Sequence, residues 1–226
     1  MGTTILGQYQ YIFGVSTTET DPDTASIFAG YTKNNPTPPS FNINQPFHCR
    51  IQFDETGAKA GALGTTSIWY NAGTDSITGS VQITVANAAG EHIKIVNDPG
   101  NTIAEQITIA GAGPLAAGAR GTPVDGDYMD VSDASVAHVP FKSSWQDMQW
   151  SLQFTANATA QTYYIFLKHA GANLDSYTNL NTGAGASDGA AVDFVEASSA
   201  SSSNSSQSSS SSSLSSSSVS SSSSSK

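Results

Sequence analysis

An all-β protein is predicted, an antiparallel sandwich with a jelly-roll arrangement among its forms. Three observations predict it: apolar and polar residues alternate in short runs, Gly, Asn, Asp and Pro break those runs, and no stretch repeats with the period of an amphipathic helix. The chain then ends in an almost pure serine run over residues 198–226, with single Asn204, Gln207, Leu214 and Val219. Serine offers no apolar surface to offset the entropy of ordering, so this tail is expected to stay disordered with a reach of roughly 30 Å. The roughly 200 residues before it are enough to bury one sandwich core without disulfides or metal. The expected organisation is an N-terminal arm or loop-rich segment over residues 1–40, a sandwich over 41–197 and the tail over 198–226.

Residues 1–40 read as an arm because Asp21-Pro22-Asp23 and Asn34-Asn35-Pro36-Thr37-Pro38-Pro39 are turn and loop chemistry. The first clear strand is 47–53, where Phe47, Cys49, Ile51 and Phe53 share one face and His48, Arg50 and Gln52 the other, as in a strand with one side in water. Residues 67–70 form the next. The runs 81–85 and 92–96, joined by the Asn87-Ala88-Ala89-Gly90 turn, read as a hairpin. Asn97-Asp98-Pro99-Gly100 turns the chain into a strand at 103–109, and the small, Gly-rich residues 110–120 read as a surface loop. A strand at 136–141 belongs at an edge because Pro140 cannot donate to a ladder. The clearest hairpin pairs 148–154 with 162–168 around Ala156-Asn157-Ala158, and its aromatic residues place it at the centre of the core. Tyr164 and Phe166 alternate with Tyr163, Ile165 and Leu167, which calls for burial on both faces or contact with a neighbouring copy. Residues 192–195 form the last strand.

The composition narrows the function. With 8 Lys+Arg against 18 Asp+Glu the chain has a net charge of -10, and it lacks the basic stripe that nucleic-acid binding uses. Charged residues make up only 12%, so the surface must be covered by small and neutral polar side chains, a composition suited to packing against copies of itself. The N-terminal residues hold no basic segment followed by an apolar run, so neither a Sec signal peptide nor a membrane span is expected.

Patterns for catalysis fail in turn. No Gly-x-Ser-x-Gly elbow or Ser-x-x-Lys occurs, and Gly111-Ala112-Gly113 leads into Pro114 and not into a phosphate cradle. Asp54, Glu55, Glu105 and Asp147 are the acids that could meet as a hydrolytic pair, but nothing in their spacing requires it. His48, His92, His138 and His169 are too scattered for a metal pair on one element. Cys49, the only cysteine, reads as a small buried hydrophobe. Asp125, Asp127, Asp130 and Asp133 could offer oxygen ligands to calcium, though a solvated acidic loop is the ordinary reading because a twelfth-position Glu and flanking helices are missing. No catalytic, cofactor or metal residue is therefore assigned, and no cofactor is expected. Asn157-Ala158-Thr159 and Asn204-Ser205-Ser206 fit the glycosylation sequon, read as chance matches without an export signal.

The segment Gln149-Trp150-Ser151-Leu152-Gln153-Phe154, then Thr162-Tyr163-Tyr164-Ile165-Phe166-Leu167, then Gly171-Ala172-Asn173-Leu174-Asp175-Ser176-Tyr177 resembles a hairpin that recurs near the end of β-sandwich structural or decoration proteins of phage particles and microbial surfaces. The resemblance implies a non-catalytic structural subunit, with Lys168 standing where many of those proteins carry an arginine. Together with the composition it leads to the expectation of a virion or phage structural protein, capsid-like or in a similar extracellular assembly, whose partners are copies of itself or other particle proteins. The alternative is an adhesion or carbohydrate-binding module, which would present surface glycans with exposed aromatics such as Trp69, Trp145 or Tyr128.

Overall fold

A computed structural model describes residues 3–15, 25–35, 37–86, 88–97, 106–107, 115, 122–129, 135–138, 143–177 and 189–196. The strands in chain order are β1 (Leu6–Val15), β2 (Ser40–Phe41), β3 (Pro46–Glu55), β4 (Gly64–Ala72), β5 (Val81–Gln82), β6 (Ile93–Ile95), β7 (Gln106–Ile107) and β8 (Thr122–Pro123). They continue as β9 (Gly126–Met129), β10 (Val136–His138), β11 (Ser144–Phe154), β12 (Gln161–His169), β13 (Ala172–Asn173), β14 (Ser176–Tyr177) and β15 (Ala190–Phe194). A single 3-10 turn, Ala25–Phe28, is the only helical element among the described residues.

The all-β expectation holds: two sheets pack against each other around one apolar core. The larger runs β14-β1-β3-β11-β9-β7 and the smaller β10-β4-β12-β15-β2. Both are mixed, because β1 pairs β14, β11 pairs β8 and β9, and β15 pairs β2 in parallel, while the long ladders β1–β3, β3–β11 and β4–β12 are antiparallel. One edge of β11 is taken by β3 along almost its whole length, and the short strands β8, β9 and β6 tile the other.

Alternation places the core as the sequence reading has it. Phe47, Cys49, Ile51 and Phe53 of β3 and Met148, Trp150, Leu152 and Phe154 of β11 face Ile68 and Tyr70 of β4 and Tyr163, Ile165 and Leu167 of β12. Phe41 stacks on Phe47 with centroids 4.6 Å apart, and Phe154 meets Tyr163 at 5.1 Å and Phe194 at 5.0 Å. Stacked and tilted ring pairs of this kind add to the area they bury through the electrostatics of their ring quadrupoles.

Several local expectations are corrected. Residues 6–15 are no arm, since the ten-residue strand β1 pairs along its length with β3 and contributes Tyr11 and Phe13 to the core. A register shift between Gln8 and Gln10 marks a bulge at Tyr9, which turns Gln8 inward and Gln10 outward. Gln8 then spans the sheets: its Nε2 donates to Ile165 O at 3.3 Å and its Oε1 accepts from Leu167 N at 2.9 Å.

The aromatic runs at 148–154 and 162–168 do not pair as a hairpin. They lie in different sheets, so residues 155–160 form an arch between the layers, and the two strands meet through their side chains across the core. Both edges of β11 were already occupied, which left the returning strand the opposite layer. The runs at 81–85 and 92–96 part in the same way, β5 joining β4 and β6 joining β11, with a parallel bridge between Thr84 and Lys94 where the chain crosses. Ile83, Ile93 and Ile95 are all buried in that crossing.

Residues 98–105, 108–110, the calcium candidates Asp130 and Asp133, Glu105 and the serine run 198–226 lie outside the described residues. Within the expected 110–120 loop, Leu115 is described, and it is buried against Ile12, Ile27 and Phe28 instead of lying on the surface. That small cluster covers the outer face of the larger sheet. In consequence His48, Arg50 and Gln52, expected in water, are buried with Gln149, Ser151 and Asp147.

Candidate functional site

The described residues hold three groupings of chemistry-bearing side chains. The first is the polar layer on the outer face of the larger sheet, where strand register sets Gln149 opposite Arg50, Asp147 opposite Gln52 and Ser151 opposite His48. Arg50 Nε donates to Gln149 Oε1 at 2.7 Å, and Arg50 Nη1 lies 3.8 Å from Asp147 Oδ2 with both side chains only 1% exposed. Gln52 Nε2 donates to Asp147 Oδ1 and to Leu115 O, each at 3.4 Å. The Phe28 ring covers the guanidinium, whose carbon sits 4.9 Å from the ring centroid.

This layer fixes a tautomer. An arginine nitrogen only donates, so the Gln149 oxygen must face Arg50 and its amide nitrogen must face His48 Nδ1, 3.3 Å away. His48 Nδ1 therefore accepts, and the ring proton sits on Nε2. Gln52 Oε1 and Ser151 Oγ are buried without a hydrogen-bond partner among the described residues.

The second grouping lies at the crossing between layers. Tyr70 Oη accepts from His92 N at 2.9 Å, His92 Nδ1 lies 3.0 Å from Tyr163 Oη, and the Glu91 carboxylate accepts from Thr84 Oγ1 and from Ala88 N. Burial pushes the Tyr70 phenol up, with smaller raising contributions from Tyr163 and Glu91 set against the lowering His92 hydrogen bond. These contacts clamp the turn at 88–92 onto the two central strands of the smaller sheet.

The third is the outer face of the smaller sheet. On β12 and β4 the outward positions are Thr162, Tyr164, Phe166 and Lys168 beside Asn71, Trp69 and Ser67. Lys168 Nζ sits 3.9 Å from the centre of the Trp69 ring, and the indole Nε1 donates to Ser67 Oγ at 2.9 Å. Across the neighbouring β15, Thr162 Oγ1 donates to Asp193 Oδ1 at 2.6 Å. The Tyr164 phenol is raised by burial and then by the nearby carboxylates of Asp75 and Asp193. Trp69, Tyr164, Lys168 and Asp193 are each partly exposed.

The candidate positions fall differently from the sequence reading. Trp145 and Tyr128, named as exposed aromatics, are 4% and 2% exposed, which leaves Trp69. Asp125 is exposed just before β9 and Asp127 lies within β9, and no group of three His, Cys, Asp or Glu able to hold a metal occurs among the described residues. Asp54 and Asp147 are both buried, and Glu55 is spent on structure: Oε1 accepts from Ile5 N at 2.9 Å and Gly57 N at 2.7 Å, and Oε2 from Ser143 N at 3.1 Å.

The histidines stay apart, with His48 in the polar layer, His92 at the crossing and His138 in β10. His169 Nε2 lies 3.1 Å from Ala62 O, an obligate acceptor, so that nitrogen holds the proton and Nδ1 accepts from Thr66 Oγ1. Cys49 is buried in the core, and burial raises its thiol well above the ordinary value.

Sequence reasoning missed the roles of Arg50, Gln149 and Lys168. For Arg50 and Gln149 a signal was present, as polar side chains at every second position of two strands that prove adjacent, whereas Lys168 follows Thr162, Tyr164 and Phe166 on its face and had no such signal. Among known proteins, no family model matches the chain, and no curated protein or solved structure matches it.

Proposed function

We propose that this protein is a non-catalytic structural subunit of a virus or phage particle, or of a similar extracellular assembly, that works by packing against copies of itself or other particle proteins. The observation that carries the reading is the polar layer. Its charged pair, Arg50 and Asp147 at 1% exposure each, is turned inward on itself, with Phe28 over the guanidinium, where a reactant would have little access. Such a network fixes the register of β3 on β11 and the seat of the covering segments, which suits a rigid building block. The low fraction of charged residues on an acidic chain supports the same use, since neutral small side chains desolvate at modest cost.

Negative-stain electron microscopy of the purified full chain tests this directly. Discrete rings, tubes, shells or oligomers of uniform size are expected, and a field of single small globules at high concentration would overturn the reading.

The alternative, a carbohydrate-binding or adhesive module, is favoured by one observation, the partly exposed Trp69 ring. Lys168 already stands over that ring, so a saccharide stacking there would first have to displace an ammonium. A glycan array with the full chain separates the two: specific capture that Trp69→Ala abolishes would favour the module.

A further inference from the structure

We infer that the outer face of the smaller sheet is a two-fold self-association surface, on which Lys168 of one copy meets Asp193 and Asp75 of a second. The inference deepens the structural-subunit reading and rests on it.

Three observations point there. First, several other routes to self-association are obstructed among the described residues. The outer face of the larger sheet lies under Ile27, Phe28 and Leu115, and the free edge of β1 is capped where Asn34 exchanges hydrogen bonds with Tyr11, Asn34 N donating to Tyr11 O and Asn34 Oδ1 accepting from Tyr11 N, both at 2.9 Å. The edge of β4 is likewise taken by β10 and β5.

Second, the partly exposed face is polarised along its strands. Lys168 stands at one end of β12, while Thr162, six residues earlier and roughly 20 Å away along an extended strand, binds Asp193 at the other. Asp75 lies on the same side, where it and Asp193 both act on the Tyr164 phenol. Trp69 and Tyr164 lie between the two ends and are partly exposed, while Phe166 on the same face is buried where Tyr177 and Gly189 pack against it.

Third, this pattern is complementary to itself. An isologous interface places the same patch on both copies in opposed directions, so a cation at one end and carboxylates at the other meet twice across the two-fold axis. With only 8 Lys+Arg against 18 Asp+Glu, copies of the chain repel one another on average, and a contact that pairs a scarce cation with two carboxylates selects one orientation. The Trp69 ring holds the Lys168 ammonium in place before contact, which lowers the ordering cost.

The test is a charge swap in the full chain, read by size-exclusion chromatography with light scattering across a dilution series at low salt. Lys168→Glu and Asp193→Lys should each weaken self-association by about tenfold or more, and the double variant should recover most of the loss because every interface then holds the reversed pairs. Lys168→Met, which keeps an aliphatic side chain over Trp69, should show the same loss without a new charge, and near-UV circular dichroism should report an intact core for each variant. Single variants that associate like the parent, or a double variant that fails to recover, would overturn the inference and leave the structural-subunit reading standing. A parent chain that is monomeric throughout would overturn both. Capture of a saccharide by the parent that is lost in Lys168→Glu, with no change of mass, would assign the face to a glycan instead.

Discussion

Replacing Asp147 with alanine is expected to cost about 3–5 kcal/mol of folding stability, the range for removing one partner of a buried ion pair. The geometry sets the size of the effect. Arg50 and Asp147 are each 1% exposed, so water cannot take the place of the lost carboxylate, and Gln52 Nε2 loses an acceptor at 3.4 Å in the same step. Arg50 Nε still donates to Gln149 Oε1 and the Phe28 ring still covers the guanidinium, but neither of these two groups carries a full negative charge. Urea unfolding followed by tryptophan fluorescence measures the loss. With a slope of about 2 kcal/mol per molar urea, reasonable for a domain of this size, the midpoint should fall by roughly 1.5–2.5 M. Arg50→Met combined with Asp147→Leu removes both charges together and should recover at least half of that shift, since an apolar replacement of a buried pair is often near neutral. A fall of less than roughly 0.5 M for Asp147→Ala would refute the reasoning, because it would mean that the pair is wetted and the outer face of the larger sheet is open.

Glu55→Ala strips the shared acceptor of three backbone N–H groups and should lower stability by about 3 kcal/mol, seen as a fall in melting temperature of roughly 6–12 °C, whereas an exposed carboxylate would barely move it. Cys49 should not react with a thiol reagent in the native protein even at mildly alkaline pH, and should react as one thiol per chain once unfolded; rapid native labelling would contradict its burial. Alkali should destabilise the protein through its phenols. The folded state raises Tyr31, Tyr70 and Tyr164 and pushes Tyr177 up to about 12, chiefly by burial, so it holds phenolic protons that the unfolded chain has begun to release by about pH 10. This contribution is fully present below about pH 10 and is lost as pH rises toward 12, and Tyr177→Phe should flatten that fall in a series of melting curves.

The inner half of the fold was legible because alternation is a local property. Phe47 to Phe53 and Met148 to Phe154 announce a buried face two residues at a time, and the structure places those residues in the core. Alternation does not say whether the opposite face meets water. That was decided by Phe28 and Leu115, far away in the chain, which cover His48, Arg50 and Gln52 and turn a seemingly solvated face into a sealed network.

Strand partners were equally hidden. A short turn between two strands suits a hairpin or an arch, and the choice at 155–160 depended on whether the edges of β11 were free. The bulge at Tyr9 left no clear mark either, because Gln8 and Gln10 read as ordinary polar alternation although they point to opposite sides. On the smaller sheet, the sequence reading asked what covers Tyr164 and Phe166. Phe166 is buried within the chain, and Tyr164 remains partly open beside Trp69, which is where the proposed contact lies.

Sedimentation velocity of the full chain over a hundredfold dilution, at low and at high salt, bears most directly on the claim that this molecule is built to assemble. Discrete faster-moving species that give way to monomer on dilution, and sooner in high salt, are the expected result. One boundary of monomer mass under every condition would contradict it.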